Sequence, residues 1–238
     1  MNEPPRKRWG CLQWGIVLGV ALLFVSLNIP IFNVTAKIGG QSKAIVNCKM
    51  IILCLKQYSK DADSAYPDGK HPELKSANQV FRELFKEEII TVERIFGCPL
   101  SKFNPDNDIG RSPNYEKALM PGECHWMLLK NQTEVSHPRT PIVIENSLNA
   151  SWPPKWDVSK PSESWWSSNA NQKKGRSWNG RRIIIGRNDG SVAVEKLRED
   201  GTLDWHSPSN LDEHGKSWID YLTPEQVTKL EYWDIEEK

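Results

Sequence analysis

LQWGIVLGVALLFVSLNIPIF, residues 12–32, and AIVNCKMIILCLKQYSKDADSAYP, residues 44–67, together decide how the rest of the chain is read. The first run is about as long as a bilayer core is thick, since roughly 20 helical residues span it at about 1.5 Å each. Leu12, Ile16, Leu22, Phe24 and Pro30 mark its length, with Gln13, Ser26 and Asn28 as interruptions. Arg6-Lys7-Arg8 precedes it and only Lys37 and Lys43 follow closely, so the positive-inside bias predicts a cytoplasmic tail over 1–11, a transmembrane anchor over 12–32 and the bulk of the chain outside. Trp9 and Trp14 fall where amphipathic rings meet the interface. A cleaved signal peptide is the rival reading. Its apolar core would be Trp14 to Val25, with Val34-Thr35-Ala36 offering small residues to a peptidase. Leu27, Ile29, Ile31 and Phe32 carry the run past a signal peptide's apolar stretch and favour the anchor.

The second run belongs to a stalk over residues 33–60. Gly39-Gly40 breaks the helix signal; beyond it Ala44, Cys48, Ile51, Leu55 and Tyr58 recur at steps of four and three, one apolar stripe widened by Ile45 and Ile52. Such a stripe needs a surface to pack on. The head, residues 61–206, opens with a helix capped by Ser76-x-x-Gln79 that carries Val80, Phe81, Leu84 and Phe85 on one face. Short strands follow at 126–129, 141–145, 182–186 and 191–196, the last two joined through Asn188-Asp189-Gly190, a turn that tolerates positive φ. Ile183-Ile184-Ile185 predicts a strand covered on both faces, with the stalk stripe as one cover. Residues 207–238 read as a C-terminal helical extension, in which Thr223-Pro224-Glu225-Gln226 supplies a cap and a Pro at the first helical position. The fold class is therefore α+β: a membrane helix continuing into an amphipathic stalk on a small antiparallel sheet, with a long Trp-rich loop.

The formal net charge of +1 hides an asymmetry, because no acidic residue occurs between Pro4 and Lys60. Lysines beside a membrane span suit anionic headgroups or a solvated helix flank. Nucleic acid is excluded as a partner, since the arginine and aromatic pattern of a binding face is missing. Cys48 and Cys54 would stand about 9 Å apart along a helix, beyond disulfide reach. That leaves Cys98–Cys124 as the simplest bridge, with four reduced, packed thiols as the alternative. No C-x-x-C spacing supports zinc or thioredoxin chemistry.

These pieces resemble the type IV pilin-like proteins, particularly the pseudopilins of type II secretion systems. The resemblance rests on the basic tail, the membrane helix with Pro30, Asn47-Cys48 opening the stalk, Cys54-Leu55-Lys56-Gln57-Tyr58 running to Asp61 and Tyr66-Pro67, Ala77-Asn78-Gln79-Val80-Phe81, Phe96-Gly97-Cys98-Pro99, and Asn188-Asp189-Gly190-Ser191-Val192. It implies a non-enzymatic structural or accessory protein of a secretion or surface-display apparatus. It would sit in the inner (cytoplasmic) membrane as a single-pass protein, with pilin-like or secretion-system proteins as partners. Members are usually processed after a Gly and carry a Glu just inside the membrane helix. At the family's spacing from Pro30 this chain has Arg8 and Gln13, which implies that it is neither processed there nor a major filament subunit.

The resemblance also implies calcium held by loop carboxylates, for which Asp106-Asn107-Asp108 and Asp189 are the candidates; a solvated turn accounts for the same residues. The five histidines, His71, His125, His137, His206 and His214, lack metal-ligand spacing, and Cys124-His125 would point to opposite faces of a strand, so no catalytic residue and no cofactor is expected. The remaining candidate is aromatic. Trp152, Trp156, Trp165, Trp166 and Trp178 could stack on a glycan or a partner protein, or fold inward as cover for the sheet.

Overall fold

The computed structural model describes residues 11–99, 101–159, 173–176 and 181–238, and in the first helix the side chains of Trp14, of residues 16–20 and from Gly39 onward. Helix α1 runs Cys11–Asp61, α2 Pro67–Lys70, α3 Ala77–Lys86 and α4 Pro224–Thr228; the strands are β1 Trp126–Leu129, β2 Pro141–Glu145, β3 Arg182–Arg187, β4 Val192–Lys196 and β5 Tyr232–Trp233. The chain divides into a unit over Met1–Gly40 and a compact unit over Gln41–Lys238.

In the first unit, Gly39-Gly40 is helical, contrary to the expected break. A helical glycine costs only about 1 kcal/mol relative to alanine, a modest penalty for a helix of this length. Trp14, Ile16, Val17, Leu18 and Val20 are exposed. Leu12, Leu22, Phe24 and Pro30 of the expected anchor lie where side chains are outside the described set. Among the described residues, no helix is long and apolar enough to cross a membrane.

The second unit is α+β, built on a five-stranded antiparallel sheet in the order β4-β3-β2-β1-β5. Its centre is buried on both faces: every residue of β1 and β2, and Ile183 to Arg187 of β3, is inaccessible. One cover is α1. Ala44, Cys48, Ile51, Ile52 and Leu55 are wholly buried, while Lys49, Met50, Leu53 and Gln57 stay exposed, so the predicted stripe is the buried one. Ile51, Ile52 and Leu55 each stabilise the fold by about 1.5–3 kcal/mol. At Gly186 the approach is close enough that an added Cβ would run into Ile52 Cδ1 and stand 2.6 Å from Cys48 Sγ. Helix α3 begins as expected, Ser76 Oγ accepting from the Gln79 N–H at 3.2 Å, and its Phe81 and Phe85 rings pack on Phe96 at 5.1 and 5.7 Å.

The β3–β4 hairpin closes where predicted. Gly190 takes φ +88°, and the Arg187 N–H donates to Ser191 O at 2.8 Å. The C-terminal segment departs from the expected helical extension. Helix α4 has the predicted Thr223–Gln226 capping box but no buried residue, whereas Tyr232 and Ile235 are buried and β5 pairs with β1. A helix without a buried face has little to hold it, and the open β1 edge offers unpaired backbone groups.

Gly186→Ala should destabilise the fold by about 1–3 kcal/mol through overpacking against α1. Urea or thermal unfolding of the purified variant measures this, and an unchanged midpoint would contradict the close approach.

Candidate functional site

Backbone pairing at one end of β1 and β2 assembles a buried group of reactive side chains. Trp126 faces Glu145 in the register, so His125, just before β1, lies beside Glu145 and Asn146. The His125 N–H donates to Phe96 O at 2.8 Å and the Asn146 N–H donates to His125 O at 3.0 Å, which brings the Phe96-Gly97-Cys98 segment to the same place. The ligand atoms of Cys98, His125 and Glu145 then all lie within 4.8 Å of one another. The three residues are 1 %, 6 % and 1 % exposed.

The imidazole is oriented by Asn146. Gly175 N–H donates to Asn146 Oδ1 at 2.7 Å, which assigns the amide; its Nδ2 then donates to His125 Nδ1 at 2.8 Å and to His125 O at 3.0 Å. The proton of the neutral ring accordingly sits on Nε2, which lies 3.8 Å from Glu145 Oε1. Burial by itself disfavours a charged ring, but the nearby Cys98 sulfur and Glu145 carboxylate favour it and prevail, and the imidazole pKa is pushed up to about 10. A second proton on Nδ1 would meet the Asn146 N–H, so the Asn146 amide opposes what the pocket's charge favours. The pocket attracts a cation at Nε2 while its Nδ1 side is set for a neutral ring.

The expected Cys98–Cys124 disulfide is absent. Cys48, Cys54, Cys98 and Cys124 are free and buried. Cys124 Sγ donates to Trp126 O at 3.3 Å, and Cys98 joins the His125 group instead. Burial pushes the Cys124 thiol well up, and does the same to Cys48 with Glu145 adding to it, so both are inert packing groups.

The tryptophans split. Trp156 is buried, and Trp152 stacks on Trp205 with ring centroids 4.8 Å apart and meets Trp218 edge-on at 5.5 Å. Trp156 is thus a core ring, and Trp152 is half-buried against Trp205 and Trp218. Trp165, Trp166 and Trp178 lie outside the described residues.

Among the calcium candidates, Asp106 meets Glu93 and Glu123, their carboxylate oxygens lying within 4.8 Å of one another. Several of these oxygens accept backbone N–H groups: both of Glu93, from Asn107 and Leu119, one of Glu123, from Met120, and one of Asp106, from Asp108; Asp108 is paired with Lys117 at 2.7 Å. Asp189 accepts from Ser191 N–H inside the hairpin turn. Local spacing could not have revealed the Cys98–His125–Glu145 group, because its members come from three separate segments. The chain matches no family model, no curated protein and no solved structure.

Two outcomes follow from this chemistry. A thiol reagent should leave Cys48, Cys54, Cys98 and Cys124 unmodified in the native head and label all four in denaturant without prior reduction; labelling of Cys98 and Cys124 only after reduction would restore the bridge. Burial pushes the Glu123 carboxyl up, the Met120 N–H opposes, and Glu93 and Asp106 add to the rise. Its folded-state pKa exceeds the ordinary 4.5, so its stabilising contribution is present below that value and lost as pH rises through the raised one. Glu123→Gln should therefore gain stability relative to wild type as pH rises from mildly acid to neutral, which unfolding curves across that range will measure.

Proposed function

We propose that this chain is a membrane-anchored, non-enzymatic, pilin-like protein that serves as a structural or accessory component of a secretion or surface-display apparatus, with α1 as both tether and spine. One observation carries the reading: a single helix, Cys11–Asp61, begins within an apolar run whose described side chains Trp14, Ile16, Val17, Leu18 and Val20 are exposed and ends as a core element of an α+β head. Large apolar side chains left exposed at one end of a helix call for an apolar solvent or partner. The length of the 12–32 run suits a bilayer.

The non-enzymatic part rests on access. The Cys98–His125–Glu145 group is sealed from solvent, so a substrate has no route to it. Arg8 and Gln13 support a tether over a polymerising subunit. A neutral Gln13 cannot neutralise a neighbour's terminal ammonium, and a charge left unpaired in lipid costs several kcal/mol. A glycan-binding head is the weaker alternative, because Trp152 and Trp156 are taken up by packing.

Fractionation of a bacterial host with alkaline carbonate extraction tests the anchor, and protease shaving of spheroplasts tests its orientation. The intact chain should stay in the membrane pellet with its head cleavable from outside. Recovery in the soluble fraction would overturn the anchor, and a mature N-terminus at Trp9 by mass spectrometry would overturn the unprocessed tether.

A further inference from the structure

We propose that Cys98, His125 and Glu145 form a binding site for a thiophilic divalent cation, by ligand type zinc, which fastens the segment around Cys98 to the end of the β1–β2 pair. The donor set is one thiolate sulfur, one imidazole nitrogen and one carboxylate oxygen, which is zinc's preference and unsuited to calcium or magnesium. Spacing agrees. Bonds of about 2.0–2.3 Å in a tetrahedral zinc site place donors somewhat under 4 Å apart. Here Nε2 and Oε1 are 3.8 Å apart and all three donors lie within 4.8 Å, so a small contraction completes the site. Three protein donors leave a fourth position open.

A second observation points to the same place. His125 Nε2 is buried, faces the group and has no hydrogen-bond partner among the described residues. Such an atom is costly to bury unless something binds it.

Charge and protons balance. The Cys98 thiol releases its proton to solvent; a cationic His125 also releases its Nε2 proton and keeps the one on Nδ1, while a neutral ring moves its single proton from Nε2 to Nδ1. The Cys98 thiolate and the Glu145 carboxylate then neutralise the dication, leaving a core site with no net charge. A proton on Nδ1 requires an acceptor, so the Asn146 amide rotates to present Oδ1, and the Gly175 N–H loses its present partner. Metal loading is thereby coupled to the chain at residue 175.

The full-length protein, purified without chelator from zinc-supplemented culture, should contain equimolar zinc by elemental analysis. Replacement with cobalt should give a thiolate-to-cobalt charge-transfer band in the near ultraviolet. Cys98→Ser and His125→Gln should abolish both signals, and Cys124→Ser should keep both. Folded wild-type protein with neither metal nor band overturns the proposal, and so does a Cys98→Ser variant that retains them. Wild-type protein supplies a check that needs no variant: in mild denaturant, zinc should selectively slow alkylation of Cys98, read by peptide mass spectrometry. Equal labelling with and without zinc would overturn the site.

Discussion

Close packing of α1 on β3 at Gly186 is the constraint on which the head depends. Three consecutive isoleucines, Ile183 to Ile185, leave β3 needing apolar cover on both faces, and β3 lies second in the sheet, so its position passes through β2 to β1 and β5. With no Cβ at 186, Cys48 and Ile52 settle against the strand backbone. The stripe at 44, 48, 51, 52 and 55 has meaning only because this strand receives it. Dense packing of this kind stabilises most where volumes match, and a single added methyl is felt.

Polar anchors then fix where the chain leaves the helix. Tyr66 Oη donates to Asn188 Oδ1 at 2.6 Å, joining the end of the stalk region to the hairpin turn 122 residues away. Asn188 Nδ2 in turn faces the carbonyls of Thr133, Glu134 and Ser136, and its N–H donates to Thr140 O. Two residues after Tyr66, Asp68 Oδ2 accepts from Asn131 N–H and from Trp233 Nε1. A buried amide or phenol left unpaired would cost about 1–3 kcal/mol, so each of these bonds discriminates strongly against other arrangements. Tyr66-Pro67 and Asn188-Asp189-Gly190, which looked in the sequence like separate short motifs, are two halves of one contact.

Local physics made most of the sheet legible. The spans of β1 and β2 follow from short apolar runs between turn-rich stretches, and the β3–β4 turn from the positive φ that Asn-Asp-Gly tolerates. The α1 stripe follows from helical spacing. Elements held by distant partners were not legible. β5 is two residues long and exists because the β1 edge accepts it, and the C-terminal cap at Thr223 announced a helix that runs only to Thr228. The Cys98–His125–Glu145 group was hidden for the same reason: no one segment holds two of its members. Of the aromatic candidates, the packing of Trp152 becomes visible only with Trp205 and Trp218, more than fifty residues later.

The missing disulfide shows how this head holds an irregular stretch without a covalent staple. Between Gly97 and Cys124 the described chain has turns but no regular element, the kind of segment that a Cys98–Cys124 bridge would restrain. Buried polar side chains from flanking helices take that role. Asn47 Nδ2 on α1 donates to Gly97 O at 3.0 Å, Asn78 Nδ2 on α3 donates to Leu119 O at 2.9 Å, and Glu93 accepts the N–H groups of Asn107 and Leu119. Asn78 Oδ1 also accepts the Glu236 N–H, so the same amide ties the loop and the C-terminal segment to one helix. With the loop pinned from both helices, Cys98 is free of any structural need for Cys124. Its sulfur instead stands beside His125 and Glu145.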